Sequence, residues 1–179
     1  MMPTVYLTSV ATVAAVRRRS ASPETARFVG AGRVFGIMRR PPAWSSPLLD
    51  GAVIGLMPTR EELATALAAG ARGVLDAFGP YVARLRGRWN RRRRGDRDPY
   101  APGALRSVVP GPEGAPWDGE LWTARDIVRD GDTLVCLCGR GRPCHRWVAA
   151  ELLDNAGWQV VSDGGDDERR VMALWRGQK

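Results

Sequence analysis

Length, composition and charge exclude several classes of protein. The chain has 179 residues, of which 44% are hydrophobic, which is enough for one globular domain with a sizeable core and too apolar for a disordered chain. No stretch approaches the roughly 20 uninterrupted apolar residues that a membrane span needs. The N-terminal basic residues follow the apolar ones, which is the wrong order for a secretory signal. We therefore expect a cytoplasmic protein with no membrane partner.

Arginine carries almost all of the positive charge. The formal net charge is +8, and Lys179 is the single lysine. A GC-rich genome produces this composition, and guanidinium groups also suit the recognition of phosphate and carboxylate. Both explanations stay open, whereas Schiff-base chemistry has no suitable lysine.

The apolar patterns along the chain predict strands that alternate with helices. Predicted strands cover residues 5–10, 33–38, 52–57, 133–138, 158–162 and 171–175. A short Ala/Val segment that ends in Arg17, Arg18 and Arg19 follows the first strand. Predicted helical segments cover Ser22-Pro23 to Phe28 and residues 59–70, 74–85, 119–129 and 143–157. This order predicts one α/β domain over residues 1–179, with three layers and a mostly parallel central sheet flanked by helices.

Residues 84–116 form an arginine-rich and then Pro/Gly-rich segment, predicted to be a loop or insertion. Such a basic run with an aromatic residue can bind the nucleic-acid backbone and stack a base. A block of like charges is also typical of an exposed, solvated loop. The residues that would contact nucleic acid are Trp89, Arg91, Arg92, Arg93 and Arg94.

The most distinctive stretch is residues 133–156, which holds all three cysteines, Cys136, Cys138 and Cys144, and the only histidine, His145. Its pattern predicts strand, turn and helix, and ligands bind at such junctions in open α/β folds. Because strand side chains alternate, Cys136 and Cys138 should lie on one face of the strand. An odd number of cysteines argues against a disulfide framework and favours reduced thiols.

One interpretation of this stretch is an anion or nucleotide site with a reactive thiolate. Cys144 lies near a predicted helix start among arginines, so we expect a lowered pKa and a nucleophilic role, with His145 transferring protons. The spacing fits neither a cysteine phosphatase loop nor a P-loop. The groups expected to hold the anion are Arg39, Arg40, Arg140, Arg142, Arg146 and Cys138.

Two other interpretations stay open. Three thiols and an imidazole are a legitimate zinc ligand set, but the spacing departs from the usual pattern. Neighbouring helical residues project about 100° apart, so Cys144 and His145 are not expected to share one ion. We therefore predict no cofactor, with zinc as the alternative. In the structural interpretation, Cys136 is a packed core thiol and His145 bonds to nearby carbonyls.

The stretch from 134 to 153 resembles the signature of the uncharacterised bacterial family called domain of unknown function four-eight-eight. In that signature a strand ending in C-x-E precedes a C-H-R that opens a helix, and Cys136, Cys144, His145 and Arg146 match it. Cys138 stands where the family has Glu. The early family motif D-V-R followed by prolines is matched only in part by GIMRRPP. The resemblance implies a compact α/β domain with a pocket at the C-H-R helix start, and it implies no particular reaction.

The first functional hypothesis is an enzyme that acts on a phosphate-bearing, nucleotide or nucleic-acid substrate in this Cys-His-Arg pocket. The alternatives are a non-catalytic nucleic-acid-binding protein that uses residues 84–97 and a zinc-stabilised interaction domain. The expected partner is accordingly a phosphate-bearing small molecule or nucleic acid. The sequence does not decide among the three, nor does it fix the oligomeric state.

Overall fold

The computed structural model describes residues 2–38, 41–53, 56–58, 60–68, 104–108, 121–123, 128–139, 144–155, 157–165 and 168. The strands are β1 (Thr4–Ser9), β2 (Val34–Gly36), β3 (Gly51–Val53), β4 (Ala104–Val108), β5 (Leu121–Thr123), β6 (Thr133–Cys136) and β7 (Gln159–Ser162). The helices are α1 (Val10–Arg17), α2 (Pro23–Ala26), α3 (Arg60–Ala68) and α4 (His145–Asn155), with a 3₁₀ helix at Ala43–Leu48. None of the described helices is long and apolar enough to cross a membrane.

These strands form one sheet in the order β5-β4-β3-β2-β6-β1-β7. Strands β3, β2, β6, β1 and β7 run parallel to one another, and β4 and β5 extend the sheet in antiparallel fashion beyond β3. The predicted α/β fold with a mostly parallel sheet is therefore confirmed.

Apolar side chains cover both faces of the sheet. Along β6, Leu134 and Cys136 belong to a core cluster that includes residues of α4, whereas Val135 belongs to a second cluster with residues of α1. Because neighbouring strand residues point to opposite faces, α1 and α4 pack on opposite sides of the sheet. The result is a three-layer domain in which β6 is buried on both faces, as is typical of a parallel sheet.

The chain reverses its direction of winding between β1 and β6. These strands are neighbours, and Ser9 at the end of β1 is paired with Cys136 at the end of β6. From β1 the chain passes through α1 to β2 on one side, and from β6 it passes through α4 to β7 on the other side. In open α/β sheets, such a topological switch point forms a crevice at the carboxyl ends of the strands.

Serine side chains cap the first two helices, and two glycines approach closely at the amino end of the sheet. Ser9 caps α1 by accepting the Thr12 backbone N–H at 3.1 Å. Ser22 caps α2, with Pro23 at the first helical position, as predicted. At the amino end of β6, Gly30 packs so closely against the Gly131 carbonyl that no side chain fits there.

The antiparallel edge of the sheet differs from the prediction. The helix expected over residues 119–129 is wrong, because Leu121–Thr123 forms β5 and pairs with β4. Strand β4 itself lies inside the 84–116 segment that was predicted to be a loop or insertion. A short apolar run is compatible with either a helix or a strand. Pairing with β4 makes residues 121–123 a strand. The helix predicted at 74–85 and the strand predicted at 171–175 lie outside the described residues.

Candidate metal centre

Two of the three cysteines project from the end of β6 toward the same side. The Sγ atoms of Cys136 and Cys138 are 3.5 Å apart, so they lie on the same side as predicted. The strand was predicted to reach Cys138, but it ends at Cys136, and Cys138 lies in the bend that follows. The Cys138 backbone N–H donates to Cys136 Sγ at 3.5 Å. Cys136 is 2% exposed and packs in the core cluster, whereas Cys138 is only half-buried.

The third cysteine joins them from the start of α4. Cys144 is 1% exposed, and its Sγ lies 3.4 Å from that of Cys136. All three sulfur atoms lie within 4.8 Å of one another, so the cluster could bind a metal ion. A predicted loop separates these residues in the sequence, and the fold brings them together because α4 begins beside the end of β6.

His145 also faces this cluster. Its Nδ1 atom lies 3.5 Å from Cys144 Sγ and 3.9 Å from Cys136 Sγ. The expectation that Cys144 and His145 project apart is wrong, because it treated both residues as helical. Cys144 precedes the first helical residue, and its carbonyl accepts the Trp147 backbone N–H at 3.0 Å, so it caps α4 from outside the helix.

The opposite edge of the imidazole is held by the backbone. His145 Nε2 lies 2.7 Å from the carbonyl oxygen of Ile37, the residue that follows β2. The Ile37 N–H in turn donates to the Val135 carbonyl of β6 at 2.9 Å. His145 is 3% exposed, so its ring is packed between the ends of two neighbouring strands.

The ionisation of the cysteines differs from the sequence prediction. We expected a lowered pKa at Cys144, but burial and then the neighbouring thiols raise the pKa of Cys144 well above its ordinary value. The thiols of Cys138 and Cys144, as hydrogen-bond partners, lower the pKa of Cys136. The hydrogen bond with Cys136 raises the pKa of Cys138 to about 11. The neighbouring thiols therefore favour the thiolate form at Cys136.

Arg146 supports the cluster from inside the protein. Its side chain is fully buried, and its guanidinium donates to the carbonyl oxygens of Cys138 at 3.2 Å and Gly139 at 3.4 Å. The same group lies 3.1 Å from Asp163 Oδ1 as an ion pair that is not aligned as a hydrogen bond. The residue expected to hold an external anion is thus paired with an internal carboxylate.

The polar residues behind the site were missed in the sequence. Asp163 follows β7 directly, and its Oδ2 accepts the Thr8 hydroxyl at 2.7 Å in a buried hydrogen bond. Glu168 is also buried nearby, and burial raises its pKa. A signal for Asp163 was present, because the carboxyl ends of neighbouring parallel strands meet at one edge of a sheet.

The other arginines predicted to bind an anion, and the residues predicted to bind nucleic acid, lie outside the part of the chain that the structure describes. Arg39, Arg40, Arg140 and Arg142 lie outside the described residues, as do Trp89, Arg91, Arg92, Arg93 and Arg94. Their expected anion or nucleic-acid contacts stay predictions.

Comparison with known proteins adds no relative. No family model, no curated protein and no solved structure matches the chain. The resemblance to the family with the C-H-R signature therefore stays a prediction based on the sequence motif.

Proposed function

We propose that this chain is a zinc-binding α/β domain in which the metal joins the end of β6 to the start of α4. The observation that carries the proposal is the cluster of three sulfur atoms within 4.8 Å of one another. Of the alternatives drawn from the sequence, this geometry favours the zinc-stabilised domain.

The separations of the thiols suit a tetrahedral zinc ion. With Zn–S bonds of about 2.3 Å, neighbouring sulfurs in a tetrahedral site lie about 3.8 Å apart. Cys136 Sγ lies 3.5 Å from Cys138 Sγ and 3.4 Å from Cys144 Sγ, so small side-chain rotations suffice to admit the ion. Thiolate is a soft ligand, which favours zinc, copper(I) or iron–sulfur clusters over magnesium and calcium.

The first test is metal analysis of the full chain purified without chelator. We expect about one equivalent of zinc in the wild-type protein, and loss of that zinc in Cys136→Ser, Cys138→Ser and Cys144→Ser. Removal of zinc by a chelator should also lower the melting temperature, because a structural ion stabilises only the folded state.

Ser9→Ala is the matched control. Ser9 pairs with Cys136 across the sheet and caps α1, but it contributes no atom to the sulfur cluster. This variant should lose stability yet keep its zinc. Metal-free wild-type protein, or equal zinc in the three cysteine variants, would contradict the proposal.

The anion-binding enzyme predicted from the sequence is a second proposal. Its support is the location of Cys144 and His145 at the topological switch point, where α/β enzymes bind ligands. Burial of Cys144 and the internal pairing of Arg146 count against it. Labelling of the metal-free protein with a thiol reagent tests it. A catalytic Cys144 predicts fast labelling that Cys144→Ala abolishes, whereas the burial pattern predicts that Cys138 reacts first.

A further inference from the structure

We infer that His145 is the fourth metal ligand, through Nδ1, and that it closes a three-cysteine, one-histidine zinc site. This inference rests on the proposed zinc function and goes beyond it by naming the coordinating atom. The sequence argued against such a ligand, whereas the geometry points to it on three independent grounds: the tautomer of the ring, its distances to sulfur and its burial.

The tautomer follows from the Ile37 contact. A carbonyl oxygen can only accept a hydrogen bond, so the ring nitrogen 2.7 Å from it, Nε2, carries the proton. In the neutral imidazole, the ring lone pair that can bind a metal then belongs to Nδ1, the nitrogen that faces the Cys144 and Cys136 thiols. Metal-bound histidines commonly donate their other N–H to a carboxylate or a backbone carbonyl in this way, which fixes the ring orientation.

The distances place that lone pair beside the thiols. With Zn–N bonds of about 2.0–2.1 Å and Zn–S bonds of about 2.3 Å, a nitrogen and a sulfur on one tetrahedral zinc lie about 3.6 Å apart. Nδ1 lies 3.5 Å from Cys144 Sγ and 3.9 Å from Cys136 Sγ. The separations from these two sulfur atoms bracket the required value.

The ring is 3% exposed, and its burial fits a site that is closed to solvent. Three thiolates and an imidazole complete four-coordination, which leaves no position for substrate or water and is typical of a structural rather than a catalytic zinc. The ion would also connect three elements, because β6 and α4 supply the ligands and the carbonyl after β2 holds His145 in place.

The chain offers a direct spectroscopic test, since His145 is its only histidine. Long-range ¹⁵N–¹H correlation spectra of the full-length protein therefore report on this ring alone. In the zinc-loaded protein we expect a protonated Nε2 and an Nδ1 resonance shifted to the position of a metal-bound nitrogen. Chelation of zinc should move the Nδ1 resonance while Nε2 stays protonated.

Zinc affinity provides the second measurement, by competition with a chromogenic chelator. Loss of an outer-shell partner usually weakens metal binding roughly 10- to 100-fold. His145→Ala removes a ligand itself, so we expect it to weaken zinc binding at least as much. His145→Cys should restore much of the affinity by supplying a fourth thiolate. Val148→Ala is the control, because it truncates a buried side chain of the same helix outside the sulfur cluster and should leave affinity unchanged.

The outcomes separate this inference from the zinc proposal. One equivalent of zinc with an Nδ1 resonance that does not respond to it, or equal affinity in wild-type and His145→Ala, would overturn the histidine ligand and leave the three-cysteine site standing. A wild-type protein that binds no added zinc would overturn both. Zinc-dependent Nδ1 shifts together with weakened binding in His145→Ala would establish the ligand.

Discussion

Replacement of Arg146 by Met tests whether the buried ion pair behind the cluster stabilises the domain. Methionine keeps an unbranched apolar side chain of similar reach, so the substitution chiefly removes the guanidinium. Asp163 would then be a buried charge whose remaining side-chain partner, among the described residues, is the Thr8 hydroxyl at 2.7 Å. Removal of one member of a buried pair costs about 3–5 kcal/mol.

The other hydrogen bonds of Arg146 add less to this loss than the ion pair. Its bonds to the Cys138 and Gly139 carbonyls are long, at 3.2 Å and 3.4 Å, and therefore weak. Because Asp163 keeps its hydrogen bond with Thr8, the loss of stability should lie in the lower part of the range of about 3–5 kcal/mol. We therefore expect a loss of about 3–4 kcal/mol, which is a large part of the roughly 5–15 kcal/mol that stabilises a typical domain.

The assay is urea unfolding of wild-type and variant protein with a chelator and, separately, with excess zinc. Arg33→Met is the matched control, because Arg33 also pairs with a buried aspartate, Asp132, but its side chain is 39% exposed. Asp132 keeps backbone N–H donors from Arg33 and Arg129, each at 2.8 Å. We expect a cost of about 1 kcal/mol or less for this control. Equal losses in the two variants would refute the argument from burial.

Three further substitutions test other parts of the fold by the same unfolding measurement. Gly30→Ala should be strongly destabilising, because its Cβ would overlap the Gly131 carbonyl; wild-type stability would exclude that close approach. Ser9→Ala should cost about 1 kcal/mol through loss of the α1 cap, and an unchanged midpoint would contradict the cap. Burial raises the pKa of Glu168, so the folded state binds the extra proton and stability falls as pH rises above the ordinary glutamate pKa. Glu168→Gln should therefore flatten the stability profile in the pH range above the ordinary glutamate pKa, and a profile identical to that of the wild type would refute the assignment.

The parallel part of the fold was accessible from the sequence, because its signals are local. Runs such as TLVC in β6 are apolar and β-branched, and Ser22-Pro23 begins a helix by capping alone. The segment at Leu121–Thr123 carried no comparable signal, since only its pairing with β4 makes it a strand. The local pattern of residues thus predicts an element when its own residues favour one structure. It fails when pairing with a strand that is distant in the sequence determines the structure.

The candidate site was located correctly along the chain, but its geometry was not predicted. Alternation predicted that Cys136 and Cys138 lie on one side, and their sulfur atoms do, although the strand ends at Cys136. The contact between His145 and Ile37 joins positions that no sequence pattern relates, and the non-helical backbone at Cys144 depends on where α4 begins. The helix was predicted from residue 143 and begins at His145, and this difference of two residues decides whether the thiol and the imidazole diverge or converge.

The position of β1 in the sheet has a consequence for synthesis of the chain. Both of its hydrogen-bonded neighbours come late: Tyr6 pairs with Thr133 in β6 and with Val161 in β7. At roughly 5–20 residues per second, the ribosome needs about 6–25 s to make the chain between β1 and β6. Throughout that time the nascent strand, with the apolar Val5 and Leu7, has neither partner. Pairing over such distances along the chain is slow, so among the described strands β1 waits longest for its partners during translation.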